Sequence, residues 1–239
     1  MIFSSVAQAA VPRGIGLTEW LGALDTWLGR DGILSSAADT ITISAAVISV
    51  ATVLAVPLAA VLAHYGRGEL TLTWFLTLSR AVPTFAIAAL LVPVALQQGW
   101  GFEPWPIFIA LLVLALPPIY LNTYTAVRQV EAGAVDSARA MGLTETAVLL
   151  RVELALATSV MFTGIRVSAV QVVATEPIRA FLGGDGLGRY VRDGLGQNND
   201  TLVIGGALLV AALAAATGLA FVVIERVVVP HGVRRLRSS

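Results

Sequence analysis

Two short clusters in this 239-residue chain carry charge and glycine at spacings with physical meaning. The first reads Val135-Asp136-Ser137-Ala138-Arg139-Ala140-Met141-Gly142-Leu143-Thr144. Val135 to Met141 has the character of a short helix. Gly142 suits the left-handed position just past a helix end. Thr144 suits the N-cap of a second helix running through Ala147, Leu149 and Leu150. The expected product is a helix–glycine–helix elbow. The second cluster is Glu176-Pro177-Ile178-Arg179. On a helix beginning at Pro177, Glu176 and Arg179 lie close enough to interact, and a carboxylate at or before the N-cap is favoured by the helix dipole. It reads either as a solvated interfacial turn or as part of an outer gate whose carboxylate faces a vestibule. As an exposed pair it would be worth only about 0–1 kcal/mol. Gly183, Gly184, Gly186 and Gly188 follow. No predicted strand precedes them, so they read as turn glycines rather than a nucleotide loop.

The remaining chemistry is mostly excluded. The chain has no cysteine, which removes disulfides, thiolate metal sites and thiol nucleophiles. It has no lysine, so it cannot form a Walker A phosphate loop. His64 and His231 are its two histidines, far apart in sequence, which speaks against a histidine metal cluster. No nucleophile–base pair is visible, so the expectation is no catalytic residue, no metal and no cofactor of the chain's own. Formal net charge is zero, which speaks against nucleic acid as a partner.

The elements that would position these clusters are membrane-spanning. Charged residues make up 13% of the chain, against about a quarter in soluble domains, while 57% of residues are hydrophobic and mean hydropathy is +0.84. Five spans are expected, since about 20 apolar residues cross the hydrocarbon core. They are 41–63, 81–96 extended back toward Trp74 with Pro83 and Pro93 as kinks, 106–127 with Pro117-Pro118, 154–175 interrupted by Arg166, and 201–224. Ala214 and Gly218 form a small-xxx-small pair. Asn198, Asn199 and Asp200 read as the polar turn and N-cap ahead of the fifth span. Ahead of the first span, Leu17, Trp20, Leu21, Leu24, Trp27 and Leu28 share a helical face, predicting an interfacial amphipathic helix. The small residues near Ala7 and Ala9 lack a basic n-region and an apolar h-region, so no signal peptide is read there.

The chain thus divides into an extracytoplasmic segment (1–35), a transmembrane domain (36–230) with the elbow at about 130–152, and a basic tail (231–239). Arginine counts give the orientation. With the elbow inside, Arg67, Arg128, Arg139, Arg151, Arg226, Arg234, Arg235 and Arg237 lie inside, and Arg13, Arg30, Arg189 and Arg192 outside, eight against four. Arg80, Arg166 and Arg179 fall near or within the membrane. The N-terminus is then outside and the C-terminus cytoplasmic. Arg166, costly within a span, should face a cavity or partner or else snorkel to the surface. Its nearest partner by sequence is Glu153. Arg166, Glu176, Arg179, Tyr120 and Asn122 are the candidates for the translocation path or its gate.

The elbow resembles the EAA motif of ABC-importer permeases. Asp136, Ser137 and Ala138 stand at its Glu-Ala-Ala positions and Gly142 at its glycine. Where that family has Leu-Pro after the elbow, this chain has Leu154-Ala155, so a softer bend is expected. Leu116-Pro117-Pro118-Ile119-Tyr120-Leu121-Asn122-Thr123-Tyr124, Arg151-Val152-Glu153-Leu154, Gly164-Ile165-Arg166 and Ala180-Phe181-Leu182-Gly183-Gly184-Asp185-Gly186-Leu187-Gly188 are similar to the osmoprotectant permeases, importers of glycine betaine, carnitine, choline or proline. The resemblance implies an all-α polytopic bundle in the bacterial cytoplasmic membrane, with Asp136 to Thr144 as the coupling helix. It implies ATPase subunits that bind the ATP, a second permease subunit, identical or related, and an extracytoplasmic substrate-binding protein. A methionine-type amino-acid permease carries a similar elbow and is the nearest rival. An ion-coupled secondary transporter would want intramembrane carboxylates, to which only Glu176 comes close.

Overall fold

The computed structural model describes residues 16–29, 31–67, 82–99 and 104–228. The stretch from Trp74 to Ala81, the tail, His231 and Arg13, Arg30, Arg80, Arg234, Arg235 and Arg237 lie outside them.

Every described element is helical. Two short helices, α1 (Leu17–Gly22) and α2 (Leu24–Trp27), precede the long α3 (Ile33–His64). Then come α4 (Thr84–Gln97) and α5 (Trp105–Arg128). The elbow is α6 (Ala132–Ala140) and α7 (Glu145–Val148). A π turn over Leu149–Glu153 joins α7 to α8 (Leu154–Thr175), and a 3-10 helix over Glu176–Leu182 continues it. A Gly-rich turn leads to α9 (Gly188–Gln197) and then α10 (Asp200–Val228).

Four of these runs are long and apolar enough to cross a membrane: α3, α5, the continuous rod from Glu145 to Leu182, and α10. The expected second span appears as the shorter apolar α4. Pro83 sits ahead of its first turn rather than kinking it, while Pro93 lies inside. Pro117 and Pro118 lie inside a continuous α5. A Leu154-Ala155 junction has no ring to clash with the preceding turn. There the widened π turn carries the elbow into α8 without a break.

Packing centres on α5, which lies against both α3 and α8. The buried positions of α3 fall at steps of three to four residues: Ser36, Thr40, Ser44, Val47, Ala51, Ala55, Ala59 and Ala63. Small residues along such a ridge let backbones approach closely, which drives helix association where lipid is as apolar as leucine. The opposite face of α3 leaves Val53, Leu54 and Leu58 exposed to the surroundings.

The segment ahead of α3 departs from the expected single interfacial helix. Extended backbone at Ala23 (φ −78, ψ 120) splits it in two. Leu17, Trp20, Leu21 and Trp27 pack inward with Ile33, Leu187, Tyr190 and Leu202, while Leu24 and Leu28 remain exposed. Trp20 meets Tyr190 edge to face at 5.4 Å. It lies over Gly205 of α10, where an added Cβ would come within 2.4 Å of the indole. The tryptophan therefore serves packing within the protein. Asn199 caps α10 as expected, its Oδ1 accepting from the Leu202 amide at 3.4 Å. Gly218 brings α10 close to α8, with Val170 Cγ2 3.4 Å from the position of an added Cβ.

Candidate functional site: an elbow and a buried charge pair

The elbow closes at Gly142, which has φ +85, a backbone that an L side chain adopts only with strain. Its amide donates to the Arg139 carbonyl (2.9 Å) and the Leu143 amide to that of Ala138 (3.2 Å). This is the paired termination that satisfies the last carbonyls of a helix. Thr144 Oγ1 accepts from the Ala147 amide at 3.3 Å and starts α7. Val135, Ala138 and Val148, with Leu143 packed against them, form a small apolar core between the two arms. Asp136, Ser137, Arg139, Met141, Gly142 and Thr144 are exposed, Met141 at 74%.

A clasp spans the elbow. Arg139 Nε donates to Glu145 Oε1 and its Nη2 to Glu145 Oε2, each at 3.0 Å. Asp136 stands 3.5 Å from Arg139 Nη1. The hydrogen bonds from Arg139 hold the Glu145 carboxyl below the usual carboxylate range. Its share of the clasp is therefore complete above that range and is lost only as pH falls through the lowered value. Both groups are exposed, so screening keeps the energy small.

At the opposite end of α8, Arg179 Nε donates to Glu176 Oε1 at 2.6 Å. Here the structure corrects the sequence expectation. Glu176 is fully buried and Arg179 is 5% exposed, so the carboxylate faces no open vestibule and the pair is not a solvated turn. Gly186, with φ +97, brings the following turn down onto it. An added Cβ there would lie 2.8 Å from Thr40 Oγ1, 3.0 Å from Arg179 Nη2 and 3.2 Å from Glu176 Oε1. Thr40 in turn accepts the Leu187 amide at 3.1 Å. Arg192 of α9 donates to the carbonyls of Ala180 (3.0 Å) and Gly184 (3.3 Å). Asp31 accepts from Arg189 at 3.1 Å. The pair lies beside a set of polar contacts that tie α3, the 3-10 helix, the Gly-rich turn and α9 together.

Arg166 pairs with Glu225 of α10 at 3.6 Å, not with Glu153, and Glu225 also accepts from Ser159 at 3.3 Å. A helical side chain leans toward the N-terminal end of its helix. That lean carries the guanidinium back along α8 toward Ser159, the neighbour of Glu225. Tyr120 is 1% exposed and stacks on Tyr124 at 5.9 Å inside the core. Asn122 donates to the Pro118 carbonyl at 2.8 Å and abuts Gly164, where an added Cβ would lie 2.6 Å from the Asn122 Cβ. Asn122 is thus held within the α5–α8 contact in this conformation.

The apolar helices and the exposed glycine elbow have counterparts among known proteins. The model of the family described as binding-protein-dependent transport system inner membrane component matches residues 51–231. This chain belongs to that family. The permease is 33% identical over 198 residues to the choline transport system permease protein OpuBB of Bacillus subtilis, covering 83% of this chain and 89% of that one. It is 32% identical over 199 residues to the carnitine transport permease protein OpuCB of Listeria monocytogenes, covering 83% and 88%. Among solved structures it is similar to an inward-facing form of the MetNI methionine ABC transporter, with TM-score 0.71 and 19% identity, covering 83% of this chain and 96% of that one. That likeness concerns the fold. The chain is a transmembrane permease subunit of an ABC importer, a class that works with ATPase and binding-protein partners.

Three residues of the permease escaped the sequence reading: His64, Glu153 as its partner, and Glu225. His64 Nδ1 lies 2.6 Å from Glu153 Oε2, and its Nε2 3.1 Å from Glu145 Oε2. Eighty-nine positions separate His64 from Glu153. No local spacing encodes such a contact.

Proposed function

We propose that this permease imports small zwitterionic or cationic compatible solutes, of the choline, carnitine and glycine betaine type. ATPase subunits would dock on the tip of the elbow, from Asp136 to Thr144. The observation that carries the docking role is the elbow itself. Its two arms are stapled by a private apolar core and an Arg139–Glu145 clasp, while Asp136, Ser137, Arg139 and Met141 project outward. A rigid projection with an exposed, adaptable methionine suits insertion into a partner's cleft. The cargo reading rests on the curated relatives, whose names specify choline or carnitine transport. The methionine transporter shares the fold at an identity too low to speak for cargo.

On this reading the elbow faces the cytoplasm, as the arginine distribution favours, and the N-terminal segment and the Glu176–Arg179 pair lie outside. ATP is bound and hydrolysed by the partner ATPase, and this chain carries out no chemistry. Its partners are two such ATPases, a second permease subunit, identical or related, and an extracytoplasmic binding protein. Membrane lipid surrounds the spans. The test is purification of the chain with its co-expressed neighbours, followed by uptake into vesicles holding the full complex. A copurifying P-loop ATPase and uptake of labelled choline, carnitine, glycine betaine or proline are expected. Uptake of methionine and none of these would overturn the cargo; absence of the ATPase would overturn the docking role.

A further inference from the structure

The first span ends at His64, and the ring of that residue is buried between two acidic side chains from elsewhere in the chain. Its side chain is 2% exposed. Nδ1 faces Glu153 in the π turn at 2.6 Å and Nε2 faces Glu145 at the start of α7 at 3.1 Å. Tyr65 packs edge to face on the imidazole at 4.8 Å. Beyond it, the Arg128 guanidinium lies beside Gly66, 3.6 Å from where a Cβ would stand. Glu145 is also the residue clasped by Arg139, which stands beside Asp136. Asp136, Arg139, Glu145, His64 and Glu153 therefore form one continuous polar chain. It runs from the exposed face of the elbow, through the end of α3, to the root of α8. Among the described residues no group of three or more His, Asp or Glu is disposed to hold a metal.

The ring is built to link two partners. An imidazole carries its two nitrogens at different edges of one rigid planar ring, and here each faces a carboxylate oxygen from a different turn of the chain.

We propose that His64 is a positioning residue that hands elbow movement to the first span. The inference rests on the elbow being the docking site of the ATPase. When the elbow is displaced, the Glu145–His64–Glu153 bridge makes α3 and α8 move with it. Without a side chain that reaches both carboxylates, α3 is released from the elbow.

The test uses the full complex in proteoliposomes, with solute uptake per ATP hydrolysed as the readout. His64→Gln should lose coupling several-fold relative to wild type. His64→Arg, whose planar fork can donate to both carboxylates, should restore it. Should His64→Gln fail to assemble, Glu153→Gln serves in its place. It removes one partner of the ring and should also lower coupling several-fold. Cross-linking of Met141→Cys to the ATPase separates the two ideas. Cross-linking retained, with His64→Gln coupled like wild type, overturns the role of His64 and leaves the docking role standing. Loss of coupling in His64→Gln without any cross-link overturns the docking role. Coupling in Glu153→Gln equal to wild type also overturns the bridge.

Discussion

Arg179 and Glu176 form a 2.6 Å ion pair, the carboxylate wholly buried and the guanidinium nearly so, at the point where the α8 rod turns over into the Gly-rich loop. A charge pair of this kind is retained only while both members are present. Removing one leaves a buried charge uncompensated, at a cost of about 3–5 kcal/mol. Glu176→Gln should therefore lower the melting temperature of the purified complex clearly. Glu176→Gln with Arg179→Met should recover part of the loss. A Glu176→Gln protein that melts like wild type would show that the pair is not buried in the assembled permease.

The elbow glycine is tested by backbone alone, because nothing lies within 4 Å of an added Cβ at Gly142. Gly142→Val places a β-branched residue at φ +85 and should cost about 1–2 kcal/mol locally. Gly142→Asn tolerates that region far better. Membrane insertion should survive in both. Substrate-stimulated ATPase activity of the complex should fall in the valine variant and persist in the asparagine variant. Equal activities would mean that the conformation of this turn is irrelevant to coupling.

Arg166 and Glu225 tie α8 to α10 across 3.6 Å. Residues in one ion pair commonly show coupling energies of about 0.5–3 kcal/mol in a double-mutant cycle. Arg166→Met and Glu225→Gln should each destabilise the protein, and the double variant should be less unstable than the sum of the two. Thermal melts of the four proteins measure this; strict additivity would count against the pair.

Close approach of α5 and α8 depends on Gly164, where a methyl group would meet Asn122 Cβ at 2.6 Å and the Pro118 carbonyl oxygen at 2.7 Å. Both helices are pinned by other contacts, so the methyl cannot be absorbed by a flexible side chain. Gly164→Ala should destabilise by about 1–3 kcal/mol through overpacking. Gly196→Ala meets nothing within 4 Å and provides the control. Melting curves that rank the two in the opposite order would contradict the helix contact.

The sequence by itself determined what depends on composition and local order. Long apolar runs made helices at 41–63, 106–127, 154–175 and 201–224, each found inside a longer described helix or matching one. The elbow was equally legible, because a left-handed glycine and a threonine cap act within a few residues of themselves. Tertiary structure decided what depends on which face of a helix meets which neighbour. Glu176 and Arg179 read as an exposed pair, a solvated turn or part of an outer gate, until Thr40 and the Gly186 turn, contributed by two other segments, closed over them. The apolar face at Leu17 to Leu28 had two possible partners, lipid or protein. Only the smallness of Gly205, nearly two hundred positions away, let Trp20 choose protein. His64 carried no signal at all, since its meaning lies in two glutamates that reach it only after α3, the elbow and α8 have packed. Burial and pairing of charge are properties of the assembled surface, and no window of neighbouring residues contains that surface.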